Sequence, residues 1–171
     1  MRRAAWSAYA ACAWAWAFAA VSFYWAAGGT LGLATLGTQL ERLALARDPL
    51  AIWIGGWAVG VAKFIGGLLP LAAVQPWGKR VPRWLLLTCL WAGGIGMTLY
   101  GMASFVQHAL MMTGVIALPA GLGRVGARWH LVLWDPWWTL GGILFLATAR
   151  LANRSTQSPH DNRGSVLSRQ E

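Results

Sequence analysis

Apolar residues in this chain gather into long runs separated by short polar connections. A helix needs about 20 mostly apolar residues to cross a bilayer, with a range of about 17–25. Four runs reach that length: Ala4–Ala27 ("AAWSAYAACAWAWAFAAVSFYWAA"), Leu50–Val74, Trp84–Val106 and a stretch within Trp129–Ala149. The pattern predicts an all-α fold, an integral membrane four-helix bundle with spans at about 4–27, 50–74, 84–106 and 129–149. Arg2-Arg3 before the first run would suit a cleavable signal peptide. The run has 24 residues, however, and an h-region has about 7–15, so a retained helix is expected. Residues 1–150 are expected to form one membrane domain, and 151–171, polar and without an apolar face, a disordered cytoplasmic tail.

Local signals mark where helices begin. "RDPLAIW" places Asp48 at an N-cap with Pro49 at the first helical position, and "LWDPWWTL" offers Asp135 and Pro136 for the same roles. An Asp oxygen accepts an orphan N–H, and proline is pre-shaped for the first turn. Thr38 and Glu41 fit a capping box, predicting a short interfacial helix over 39–47 that turns Leu40 and Leu43 to the membrane surface. The connection over 107–128, with Pro119 and several glycines, predicts an irregular loop. Glycine pairs recur at 28–29, 55–56, 66–67, 93–94 and 141–142, and Gly56 and Gly60 have GxxxG spacing. Small residues let helix backbones approach closely in lipid, and the first run's twelve alanines serve the same end. The 13 tryptophans are expected at interfaces or against these glycines.

Composition narrows the class. Charged residues make up 11% of the chain and apolar ones 57%, against roughly 25% and 45–50% in a soluble domain. A soluble domain is excluded, as is disorder for most of the chain. Fourteen basic residues against five acidic give +9, but they are spread over the connections with no basic stripe, so no nucleic-acid partner is expected. Nine basic residues (Arg2, Arg3, Lys79, Arg80, Arg83, Arg150, Arg154, Arg163, Arg169) fall in odd segments, and four (Arg42, Arg47, Arg124, Arg128) in even ones. The positive-inside rule then puts both termini in the cytoplasm of a multi-pass cell-membrane protein. Cys12 and Cys89 lie in apolar runs and form no Cys-x-x-Cys, so they read as small apolar fillers. No phosphate-binding glycine loop, H-E-x-x-H or dinucleotide fingerprint occurs.

Lys63 is the remaining basic residue and lies inside the second run, 14 positions after Pro49. That is about 21 Å along the helix, near the bilayer midplane. A lysine there costs at least about 2.5–3.5 kcal/mol on insertion scales, so it needs a reason. Gly56, Gly60 and Gly67 share its face, which points it into the bundle at about the depth of Thr98 and Thr139. It anchors a ligand, ties helices together, or snorkels toward the interface. Asp135 is either a cap or, in a helix that starts near Arg128 and kinks at Pro136, a buried charge with Thr139 on its face. His130 lies about 140° from Asp135 on an unbroken helix, so the two are not expected to face each other. His108 and His130 flank the second outer loop and read as interfacial hydrogen-bonding groups; two such histidines also suit haem. No metal site is expected, and no cofactor apart from that haem alternative. His160 reads as solvated.

The run "RWHLVLWDPWWTLGGILF" (128–145), with "FAAVSFYWAAGGTLGLATLG" (18–37), "WGKRVPR" (77–83) and "YGMASFVQHALMMTGV" (100–115), resembles a family of small four-helix bacterial membrane proteins catalogued as a domain of unknown function. Its signature reads W-H-L-x-L-W-D-P-W-W-x-L-G-G over Trp129–Gly142. The resemblance implies four spans and a bacterial cell membrane, and no activity. The leading expectation is an outward-opening intramembrane site for a small hydrophobic or amphiphilic molecule, such as a lipid. Lys63 would anchor its charge, with Asp135, His108, His130, Tyr24 and Thr139 around it. The alternatives are a structural or partner-binding subunit and a haem-type redox subunit.

Overall fold

The computed structural model describes residues 2–154, which are all-α, with no strand among them. The helices are α1 (Arg2–Ala26), α2 (Thr38–Leu45), α3 (Ala51–Ala72), α4 (Arg83–Met112) and α5 (Gly123–Arg154). Short 3₁₀ turns lie at Leu33–Leu36 and Pro76–Arg80. Three helices, α3, α4 and α5, are long and apolar enough to cross a membrane. The alanine-rich α1 is as long, at 25 residues, but alanine carries less hydropathy than leucine or isoleucine, and tryptophan lowers it further.

The long helices pack in the order α3, α1, α5, α4, and α1 and α5 are the inner pair. Ala8, Ala11, Ala15, Phe18 and Ser22 of α1 are buried at spacings of three and four, as one helix face requires. Trp14 and Phe18 form the core with Trp134 and Phe145 of α5 and Leu86 and Leu90 of α4. Phe18 stacks on Trp134 at 5.7 Å between ring centroids, and Trp138 meets it edge-on at 5.1 Å.

The glycine pairs divide their work. On α5, Gly141 makes room for the Trp14 ring of α1, while Gly142 lies against Thr98 and the Gly94 carbonyl of α4. The single pair thus seats two neighbouring helices. On α3, a Cβ at Gly56 would come within 2.6 Å of Ala26 Cβ, and one at Gly67 within 2.8 Å of the Trp16 ring. Their partners Gly55 and Gly66 face open space. Close approach of backbones therefore holds α4 to α5 and α3 to α1.

Several expectations about helix ends are corrected. Thr38 is not a capping-box N-cap. Gly37 occupies that place at φ +100°, a conformation open to glycine, and no side-chain cap bond forms. The first N–H groups of α2 go instead to backbone carbonyls of the second loop: Thr38 to Leu122 at 3.3 Å and Gln39 to Gly121 at 2.8 Å. Tertiary pairing has replaced the local cap. Helix α4 runs six residues past Val106, and α5 begins at Gly123, so the irregular loop shrinks to residues 113–122. At the other end α5 continues to Arg154, because Ala152 is buried and its carbonyl accepts from Arg83. The expected tail therefore cannot start at 151. The rest of it, with His160, lies outside the described residues.

Replacing a packed glycine and an open one should have opposite effects. Gly142→Ala should destabilise the fold by forcing α4 from α5. Gly66→Ala should be neutral or stabilise it by up to about 1 kcal/mol, the helix-propensity difference. Thermal unfolding in detergent measures both; equal effects would contradict the packing described.

Candidate functional site

Pro136 determines the shape of the site. Proline has no N–H, and its ring collides with the carbonyl four residues back, here Val132. Helix α5 does not break at this point. It widens into a π-turn over His130–Trp134, where the Asp135 N–H reaches the His130 carbonyl. An i to i+5 pattern brings residues five apart onto one face, so His130 and Asp135, on different faces of an unbroken α-helix, come together.

Asp135 is thus not an N-cap. It lies inside α5 with ordinary helical backbone angles and is 1% exposed. Its carboxylate Oδ2 is 2.7 Å from Nδ1 of His108 on α4, and Oδ1 is 3.8 Å from Nδ1 of His130. The two imidazoles are 4.8 Å apart between ring centroids, tilted by 34°. Burying a carboxylate is costly unless it is hydrogen-bonded and its charge is compensated. Gly101 on α4 and Thr139 on α5 bring the helices together beside it, and Thr139 Oγ1 donates to the Asp135 carbonyl at 2.9 Å.

Lys63 lies elsewhere. Its Nζ donates to Ser22 Oγ of α1 at 2.9 Å and stands 3.4 Å from the centroid of the Phe18 ring. A cavity of about 240 Å³ opens beside it. Its walls include Lys63, Ser22, Phe18 and Gly55, with His130 and Trp134 from α5. Leu33, Leu36, Leu40 and Ala44, from the connection between α1 and α3, line it too. Helix α3 is also π-wound here, over Ala51–Ala58, where the Gly55-Gly56 pair supplies no Cβ to hold the tighter turn. Asp48 caps its start, Oδ1 accepting from Ala51 N–H at 2.9 Å.

The candidate residues therefore divide into two groups that meet at His130. His108, His130 and Asp135 form one cluster, and Lys63 and His130 share the cavity. Tyr24 stands apart, half exposed, its hydroxyl accepting from Leu31 N–H at 3.3 Å. Thr98 bonds to its own helix, at the Gly94 carbonyl. Phe18 and Ser22 were missed. They lie four residues apart on one face of α1, but which helix that face meets is set by tertiary packing.

The chain belongs to the family described as protein of unknown function DUF3995, which it matches over residues 15–145. No curated protein matches it. No solved structure matches it either.

The contact between His108 and Asp135 should be energetically coupled. In a double-mutant cycle with His108→Ala and Asp135→Ala, a coupling of about 1.5–3 kcal/mol is expected for a charge-assisted bond. The same cycle with His130→Ala should give less, because 3.8 Å is beyond hydrogen-bond distance. Detergent unfolding measures both, and additive effects for His108 would refute the coupling.

Proposed function

We propose that this chain is a multi-pass cell-membrane protein with four spans (α1, α3, α4 and α5) forming a bundle, both termini cytoplasmic, and that it binds a small amphiphile with an anionic head in a pocket opening to the outer side. The nine-to-four division of basic residues supports the orientation. Reporter fusions after Gly78 should read as cytoplasmic and fusions after Thr38 as external; a reversed sign at either would overturn the topology.

The observation that carries the binding reading is the cavity with a lysine in its wall. Apolar side chains make up most of the lining, and Lys63 supplies a charge. An ammonium has three donors and Ser22 takes one. The volume, about 240 Å³, lies just under the roughly 300–1,000 Å³ of pockets for drug-sized ligands. It suits a single short chain or small ring system rather than a whole phospholipid. Leu33, Leu36, Leu40 and Ala44 lie on the side of the α1–α3 connection, external in this topology, and support an outward mouth.

A competing account has Lys63 only tying α3 to α1, through Ser22 and the Phe18 ring. Mass spectrometry of lipids and small molecules extracted with the purified protein separates the two. Lys63→Met should keep the fold and lose the co-purified amphiphile by at least about tenfold, a loss of roughly 1.4 kcal/mol or more. Gly55→Leu should do the same by filling the cavity, since a Cβ there meets nothing within 4 Å. An unchanged set of co-purified molecules in both variants would leave the tie between helices as the account.

A further inference from the structure

We infer that His108, His130 and Asp135 form a binding site for a divalent transition-metal ion. The inference rests on this cluster alone and stands whether or not the neighbouring cavity holds an amphiphile.

Three observations carry it. First, each of the three side chains offers one ligand atom, and these atoms all lie within 4.8 Å of one another. Donors about 2.0–2.2 Å from one tetrahedral ion are separated by about 3.4 Å. The observed separations of 2.7 and 3.8 Å from the carboxylate oxygens to the two Nδ1 atoms straddle that value. Small rotations of the imidazoles would bring all three donors onto one ion. Second, the set comes from two packed helices and depends on the π-turn, without which His130 would face away from Asp135. A π-turn inside an α-helix is a frequent mark of a functional site. Third, Asp135 is 1% exposed, and among the described residues its ion pairs are with the two histidines alone. A divalent cation held by all three side chains would compensate the charge of the buried carboxylate.

The donor types narrow the ion. Two imidazole nitrogens and one carboxylate suit Zn²⁺, Fe²⁺ or Mn²⁺ rather than Ca²⁺ or Mg²⁺, which prefer oxygen throughout. Three protein ligands also leave a coordination position open, as in catalytic rather than structural zinc sites. Since His130 also lines the cavity, the ion would stand at its wall.

The test uses Co²⁺ as the probe on the purified full chain in detergent, followed by Zn²⁺ competition. One Co²⁺ per chain should bind and give a ligand-field absorption band that Zn²⁺ abolishes. His130→Gln and Asp135→Asn should each weaken Co²⁺ binding by at least about tenfold, the lower bound for losing even an outer partner of a metal ligand. His160→Ala, which removes the third histidine of the sequence, should leave the band intact. Asp135→Asn keeps the shape and an acceptor for His108. His130→Gln removes the longer contact to Asp135 and the ring contact with His108, and an unchanged elution volume and helical circular dichroism would show that either variant folds. Absence of a stoichiometric band in the parent protein overturns the inference even if both variants fail to fold. So does a band that persists in both folded variants. The amphiphile reading is unaffected by either result, because it is read from co-purified molecules.

Discussion

The buried carboxylate of Asp135 is the constraint around which one half of this molecule is arranged. A carboxylate at 1% exposure among apolar helices has to be met by polar partners placed to a fraction of an ångström. His108 meets it at 2.7 Å from another helix. That contact requires α4 and α5 to run close together over their length, and the contacts of Gly94, Gly101 and Gly142 provide the approach. It also requires the α5 backbone to present His130 and Asp135 together, and the π-turn before Pro136 provides that. Packing, backbone distortion and site chemistry are therefore linked at one residue.

The α1–α3 and α4–α5 connections complete the enclosure. Backbone groups of residues 38 and 39 bond to carbonyls of residues 121 and 122, so each loop ends the other. Trp134, at the end of the π-turn, donates to the Thr35 carbonyl at 3.2 Å and pins the first loop over the cavity. Such pairings matter in an apolar setting, where an unpaired backbone N–H has no water to turn to. They also place Leu36 and Leu40 in the cavity lining instead of leaving the short helix α2 as an isolated interfacial element.

The long helices were legible in the sequence because run length is a direct physical demand of the bilayer, independent of neighbours. The dipeptide Asp-Pro shows where such legibility ends. Asp48-Pro49 follows Arg47, whose φ of +56° breaks the chain direction, and there the aspartate caps a new helix. Asp135-Pro136 follows His-Leu-Val-Leu-Trp, which is already helical, and there the same dipeptide lies inside a helix with its carboxylate turned to a neighbour. Local chemistry is identical, and the preceding backbone decides between the outcomes. The inward face of Lys63 follows from helical periodicity against glycines. Its partners Ser22 and Phe18 do not, because no local rule says which helix lies opposite.

Departures from regular structure are concentrated around one place. The π-wound stretches of α3 and α5, the mid-helix lysine and the buried aspartate all lie at the cavity or beside it, while the 30-residue α4 runs without interruption. Nothing in the packing of four apolar helices requires these features. Replacing buried ionic groups with apolar residues of similar volume is often neutral or stabilising, so a bundle selected only for stability would carry leucines at positions 63 and 135. A sequence that breaks its local rules does so where function demands it. The four departures are concentrated around one pocket, and the alanine- and glycine-packed remainder is the frame that holds that pocket in place.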